Sequence, residues 1–205
     1  IFSFLSAKEE ELVEALLTQC GLLHCIVPAL VAAGIPPRGI SLSAVPVVRT
    51  MGNLLTGPEH WVDLIVVLPG LMAAFLHLLS CAHNAHTHAA SVAYTSTATS
   101  STTASSGGGE GYGGDKAVLK EGMFALGCIL GGSATARTAA LQGGALQAVS
   151  QCLLSDIFEV QREAVFALRH ALQDSECLEL LGADVLATAE LRRTLIRLLR
   201  SPDPE

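Results

Sequence analysis

Apolar side chains recur along this chain at helical spacing, and no β-strand pattern accompanies them. Residues 7–19, AKEEELVEALLTQ, begin with acidic side chains that favour a helix N-terminus, and then place Leu12, Leu16 and Leu17 on one face. The same spacing predicts helices at 22–33, 42–55, 59–68, 70–80, 117–130, 134–142, 145–154, 158–172, 175–181 and 186–200. We find no run of β-branched residues bounded by turns on both sides. The predicted fold class is therefore all-α.

Four glycines divide the predicted helices into similar units. Gly21, Gly70, Gly144 and Gly182 each follow a short helix and precede an apolar one. Each unit is thus predicted to contain a short helix, a glycine turn, an apolar helix and a longer helix with a polar face. Such a unit cannot bury its apolar face alone and must stack on a neighbour.

An internal repeat supports this division. Residues 118–130, VLKEGMFALGCIL, and residues 160–172, VQREAVFALRHAL, are identical at six of 13 positions with an offset of 42 residues. A fainter copy, VPVVRTMGNLLTG at 45–57, aligns Asn53 with Cys128 and His170 if an insertion of 33 residues is allowed. This period is typical of two- or three-helix solenoid repeats. We predict repeat units at about 8–57, 58–132, 133–173 and 174–200.

The predicted insertion differs from the rest of the chain in composition. It contains SVAYTSTATSSTTASSGGGEGYGG, which has almost no charge and no hydrophobic periodicity. A segment of this kind buries too little apolar area to offset its ordering entropy. We predict a disordered Ser/Thr/Gly-rich insertion at about 82–115.

Composition and charge restrict the class of partner. Half of the 205 residues are hydrophobic, the mean hydropathy is +0.48, and the net charge is −7. The chain is too apolar for general disorder, and its negative charge argues against nucleic acid as a partner while suiting basic ligands. Because the sequence begins with Ile1 and not with Met, we expect a fragment of a longer chain.

A 16-residue apolar run, LIVVLPGLMAAFLHLL at 64–79, raises the question of a membrane span. The run is short for a span, and Pro69-Gly70 interrupts it. Two buried helices that meet at a turn explain it better, and membrane association is the weaker alternative.

Motifs for a cofactor or an enzyme are missing from the sequence. His77, His83, His86 and His88 form a loose histidine cluster, but no CxxC pair or paired carboxylate completes a zinc site, so we predict no metal and no cofactor. There is no phosphate-binding loop and no GxSxG elbow, and we predict that the protein is not an enzyme. The six cysteines show no disulfide-rich pattern and are predicted to be small buried side chains.

Several segments resemble the armadillo repeats of importin-α, the adaptor that binds basic nuclear-localisation peptides. The matching segments are VRTMGNLLTG (48–57), KEGMFALGCILGG (120–132) and QREAVFALRHAL (161–172). Their order is similar to the later repeats of that family, which form its minor peptide groove. The resemblance implies a right-handed α-solenoid of three-helix armadillo repeats and covers most of residues 8–200.

The resemblance also implies a peptide-binding surface on the third helix of each repeat. In that family each third helix presents a Trp to the groove and, one turn later, an Asn. The indole rings bracket the aliphatic stems of Lys and Arg side chains of the bound peptide. The Asn amide holds the peptide backbone. Nearby acids receive the cationic heads. Carried over by position, the peptide-binding residues are Arg49, Asn53, Glu121, Phe124, Cys128, Glu163, Phe166 and His170.

The chemistry of these positions departs from the family pattern. Cys128 lacks the amide of Asn, His170 replaces it only in part, and both aromatic positions carry Phe instead of Trp. Each residue also has an ordinary structural interpretation. Phe124 and Phe166 would suit the core between stacked helices. Glu121 and Glu163 would suit a solvent-exposed helix face. Asn53 would suit a local cap at the end of its helix.

Two functions follow from this pattern. The first is an adaptor that binds a basic, nuclear-localisation-type extended peptide for protein import into the nucleus. The resemblance implies an importin-β-type carrier as a further partner and a location in cytoplasm and nucleus. The alternative is an armadillo scaffold that has lost signal-peptide binding and mediates other protein–protein interactions.

Overall fold

A computed structural model describes residues 13–15, 17, 19, 21–34, 40–97, 110–173 and 189–200. Its regular secondary structure within these ranges is entirely α-helical, as predicted. From residue 22 onward, the described helices are α1 (Leu22–Ala33), α2 (Ala44–Leu55), α3 (Glu59–Val66), α4 (Leu71–Thr97), α5 (Glu110–Gly131), α6 (Ala134–Gln142), α7 (Ala145–Leu153), α8 (Phe158–Ala171) and α9 (Ala189–Arg200).

The helices form layers in which equivalent helices of successive units stack on each other. α5 packs against α2 on one side and against α8 on the other. α4 packs against α1 and α7, and α3 packs against α6. Each unit therefore contributes a short first helix (α3, α6), an apolar second helix (α1, α4, α7) and a third helix (α2, α5, α8). This arrangement is an α-solenoid, and the predicted stacking is confirmed.

Glycine turns precede the second helices, as the sequence predicts. Gly21, Gly70 and Gly144 have φ angles of 65°, 79° and 92°, a left-handed conformation that L residues with a Cβ adopt at a cost. Each of them comes directly before the first residue of α1, α4 or α7. The reversal between first and second helix therefore depends on glycine. Gly182 lies outside the described residues.

The core lies between the helix layers and consists mainly of aliphatic side chains. Its largest fully buried members are Leu30, Met51, Leu54, Ile65, Leu71, Phe75, Leu78, Leu79, Leu119, Met123, Leu126 and Ile129. Since aromatic residues are scarce, Leu, Val, Ala and Met fill the space between the stacked helices. Phe75 is the largest of these fully buried side chains.

The apolar run at 64–79 forms two core helices that meet at a turn, as predicted. α3 and α4 are bent by 84° relative to each other at the break that contains Gly70. Ile65, Leu71 and Phe75 are all fully buried. No single helix in the described ranges is long and apolar enough to cross a membrane. Helix α3 and the first part of α4, taken together, have the length and composition of a span, but they are bent at the break between them.

The predicted disorder at 82–115 is wrong at both ends of that range. α4 continues to Thr97 and α5 begins at Glu110; residues 98–109 lie outside the described part of the chain. Alanine has the highest helix propensity, and residues 82–90 contain four alanines. Packing also fixes this extension, because Ala82 is fully buried and His86 Nε2 lies 2.8 Å from Asp156 Oδ1.

The histidine cluster of α4 takes part in contacts within the protein. The hydrogen bond from His86 lowers the pKa of the Asp156 carboxyl, while burial lowers the pKa of His83. His77 Nε2 lies 3.5 Å from Cys81 Sγ. No group of three or more potential ligands that could hold a metal ion occurs among the residues the structure describes.

The predicted burial of the cysteines is only partly correct. Cys152 is buried and Cys81 and Cys128 are half-buried, but Cys25 is exposed on α1. Cys20 and Cys177 fall in ranges that the structure leaves undescribed. The four described cysteines are free thiols.

Candidate peptide-binding surface

The eight predicted site residues all lie on the third helices, and we call the surface they share the α2–α5–α8 surface. α2 carries Arg49 and Asn53, and the stacking of α2, α5 and α8 brings the remaining six into the same row. These six are Glu121, Phe124, Cys128, Glu163, Phe166 and His170. All eight side chains are half-buried or exposed, and none belongs to the fully buried core.

Each aromatic residue of this surface lies over a glycine of the preceding third helix. A Cβ atom on Gly52 of α2 would lie 3.5 Å from Phe124 Cδ1, and one on Gly127 of α5 would lie 3.3 Å from Phe166 Cδ1. Gly52 and Gly127 are equivalent positions, one residue before Asn53 and Cys128. The sequence analysis missed these glycines, although the repeat alignment places both of them at the same position.

This contact places the phenyl rings at the edge of the core. Phe124 is half-buried and Phe166 is 40% exposed. One side of each ring packs toward glycine while part of the ring remains accessible to a ligand. Each ring therefore packs between stacked third helices, as the structural interpretation of these residues expects, and is also partly open to solvent.

Both predicted acids form ion pairs with arginines of the same chain. Arg49 Nη2 donates a hydrogen bond to Glu121 Oε1 at 2.7 Å, between α2 and α5. This hydrogen bond and the adjacent charge raise the pKa of the Arg49 guanidinium above its usual value. On α8, Arg162 Nη2 donates to Glu163 Oε1 at 2.9 Å. A cationic ligand would therefore have to compete with Arg49 and Arg162 for these carboxylates.

Comparison with solved structures decides the fold. The chain is similar to a crystal structure described as computationally designed armadillo repeat proteins for modular peptide recognition, with a TM-score of 0.62 and 17% identity over 95% of this chain and 70% of that one. The fold is an armadillo-repeat solenoid. Another designed armadillo repeat protein matches with a TM-score of 0.46 and 16% identity over 99% of this chain and 84% of that one. No protein-family model and no curated protein matches the sequence.

On the last described third helix of the armadillo solenoid, His170 packs against Phe166. Their ring centroids are 4.5 Å apart with the planes at 82°, an edge-to-face arrangement. The Nδ1 atom of His170 is buried and has no hydrogen-bond partner among the described residues, and a Cβ on Gly131 would lie 2.7 Å from it. Only Nε2 is left as a ring nitrogen that can reach a ligand, so His170 can supply one polar contact, whereas an Asn amide at this position could supply several.

Cys128 occupies the equivalent armadillo position on α5 and is an uncharged thiol. Burial raises its pKa to about 11, and the carboxylate of Glu163 on the neighbouring helix contributes to the increase. A thiol with this pKa is not an activated nucleophile at neutral pH. The side chain packs partly against the core, so this position gives the surface a small, neutral contact between Phe124 and Phe166.

We expect Glu163→Gln to accelerate alkylation of Cys128 by iodoacetamide severalfold. Removing the negative charge lowers the pKa of Cys128 from its value of about 11, so a larger fraction is thiolate at a given pH below that value. Mass spectrometry of the alkylated peptides at mildly alkaline pH measures the two rates.

Cys152 is the internal control for this experiment. Burial raises its pKa to about 12, and Glu163 does not contribute, so its rate should be unchanged by the substitution. Equal rates for Cys128 in both proteins would show that Glu163 does not lie against it.

Proposed function

We propose that the α2–α5–α8 surface binds an extended peptide. The observation that carries this proposal is the register of equivalent side chains on three successive third helices. Arg49 and Asn53, Phe124 and Cys128, and Phe166 and His170 are i, i+4 pairs, so each pair projects from one face of its helix. An extended chain that crosses the helices meets an equivalent pair at each repeat. The designed armadillo protein of similar fold is described as made for modular peptide recognition, which supports this use of the surface.

The chemistry of the surface favours a peptide with Lys or Arg side chains. Glu121 and Glu163 supply carboxylates, and the partly exposed ring of Phe166 supplies a π-face for a cationic stem. Partly exposed ion pairs such as Arg49–Glu121 contribute only about 0.2–1 kcal/mol. A ligand cation can therefore replace the arginine at small cost, and the net charge of −7 raises the rate of encounter with a basic ligand.

The finer proposal is that the basic peptide is a nuclear-localisation signal and that the protein takes part in import into the nucleus. It rests on the resemblance of residues 48–57, 120–132 and 161–172 to importin-α. An importin-β-type carrier as a second partner and a distribution between cytoplasm and nucleus belong to this same proposal.

A second candidate function is a scaffold that binds a different protein ligand. The ion pairs of Glu121 with Arg49 and of Glu163 with Arg162 favour it, because both acids already have cationic partners. The neutral thiol of Cys128 and the single available nitrogen of His170 also hold a peptide backbone less well than two Asn amides would.

The proposal is tested by titrating the full chain with a fluorescein-labelled peptide rich in Lys and Arg, followed by anisotropy at low and at physiological salt. Wild-type protein should bind, and salt should weaken binding. Glu163→Arg should weaken it about tenfold or more, because a carboxylate that receives a cation becomes a repelling charge. Arg49→Gln should strengthen binding, because it releases Glu121.

Glu59→Arg is the matched control. Glu59 is exposed on α3, away from the α2–α5–α8 surface, and its substitution changes the net charge by the same amount. Equal weakening by Glu59→Arg and Glu163→Arg would contradict a defined site. Absence of binding by a wild-type protein whose circular dichroism is helical would contradict the basic-peptide proposal and favour the scaffold function.

A further inference from the structure

Helix α9 presents a concentrated positive patch on an otherwise acidic protein. Arg192, Arg193, Arg197 and Arg200 are all exposed on this helix. They are four of the chain's 12 basic residues, while the whole chain has a net charge of −7. We call these four residues together with Ile196 the arginine patch. It lies outside the α2–α5–α8 surface, on a helix that packs against α7.

The guanidinium groups of the arginine patch have no partner in the described part of the protein. No ion pair or hydrogen bond of their side chains occurs there, whereas Arg49 and Arg162 pair with glutamates. Arg193, Ile196, Arg197 and Arg200 line a shallow groove of about 490 Å³. Ile196 is 49% exposed, so an apolar side chain lies among the cationic heads.

Helix stability accounts for only part of the patch. Arg197 and Arg200 lie in the last turn, where cations interact favourably with the helix dipole. Arg192 and Arg193 lie outside that last turn, so the same interaction does not account for them. Arg193 and Arg197 are also an i, i+4 pair of like charge, which destabilises an isolated helix. Helix stability therefore does not explain why all four arginines lie on this helix.

We infer that the arginine patch binds an acidic peptide segment of a partner protein. Residues 192 to 200 span about 12 Å of helix, which matches about four residues of an extended peptide. Guanidinium groups bind carboxylates in bidentate geometry, and Ile196 can contact one apolar ligand side chain. A peptide fits better than nucleic acid, because the positive surface is one short helix and the remaining charge of the chain would repel a long polyanion.

Anisotropy titration of the full chain with a labelled peptide that alternates Asp and Glu around a central Leu tests this inference. Wild-type protein should bind, and Arg193→Glu with Arg197→Glu should weaken binding about tenfold or more. Ile196→Ser should weaken it by a smaller factor without changing its salt dependence, because no charge is altered.

The matched control is Lys120→Glu with Arg169→Glu, two exposed positions on α5 and α8 that change the net charge equally. Binding should then fall by less than about threefold. Three results would overturn the inference: no binding by the wild-type protein, equal losses in the two double variants, or tighter binding of a short single-stranded oligonucleotide. The last would assign the patch to phosphate. Helical circular dichroism of every variant excludes loss of folding as the cause.

Discussion

Phe75→Ala is expected to reduce the free energy of unfolding by about 3–5 kcal/mol. Phe75 is fully buried on α4, and α4 packs against α1, α5 and α7. Truncation removes the transfer free energy of the ring and leaves a cavity that the surrounding helices fill only in part. Because domains of this size are typically stable by about 5–15 kcal/mol, the loss is a large part of the total. Urea denaturation followed by circular dichroism measures it as a lower transition midpoint.

Phe158→Ala is the matched control for this prediction. Phe158 is 44% exposed at the first residue of α8, so the same substitution removes much less buried area. Its expected cost is about 1 kcal/mol or less. Similar shifts for the two variants would contradict the burial of the Phe75 ring between α4 and its neighbouring helices.

Gly122→Ala is expected to destabilise the protein by about 1–3 kcal/mol through overpacking. Gly122 is buried on α5, and an added Cβ would overlap Leu79 Cδ2 of α4. Leu79 is only 2% exposed, so its side chain has little free space into which to move. Close approach of α4 and α5 at this point therefore requires glycine, and thermal or urea denaturation should show the cost.

A double-mutant cycle with Leu79→Ala separates the overlap from other effects. Leu79→Ala alone should cost about 2–5 kcal/mol, but in combination with Gly122→Ala the cost should be smaller than the sum by about 1 kcal/mol or more. Gly114→Ala is the control within α5: nothing lies within 4 Å of its added Cβ, and a helical Gly-to-Ala change should stabilise by about 0.5–1 kcal/mol. Additive costs in the cycle would contradict the contact between Gly122 and Leu79.

Much of the fold could be predicted because its determinants are local in sequence. A glycine with left-handed φ marks the start of each described second helix, and Gly21, Gly70 and Gly144 were recognisable from their positions between a short and an apolar helix. The similarity of residues 118–130 to 160–172 then indicated that α5 and α8 are equivalent. Equivalent helices that cannot bury their apolar faces alone stack on each other.

The electrostatics of the α2–α5–α8 surface could not be predicted in the same way. Repeat alignment placed Arg49 and Glu121 on successive third helices, but whether their atoms meet depends on the spacing and rotation of α2 against α5. In the structure, Arg49 Nη2 lies 2.7 Å from Glu121 Oε1. The carboxylate that the sequence predicts as a ligand for a basic peptide is therefore already paired with an arginine of the same chain. The helix over 82–97 was missed for a related reason, since Ser/Thr-rich composition conceals the tertiary contact of His86 with Asp156.

The layered stacking of equivalent helices also affects how the chain can fold. The principal partners of α5 are α2 and α8, which belong to the units directly before and after its own. Stable structure therefore needs contacts between neighbouring units only, and assembly can start at any junction of two units. During synthesis, α2 and α5 can come together while α8 is still being made. The order of translation is thus compatible with the order in which the solenoid is built.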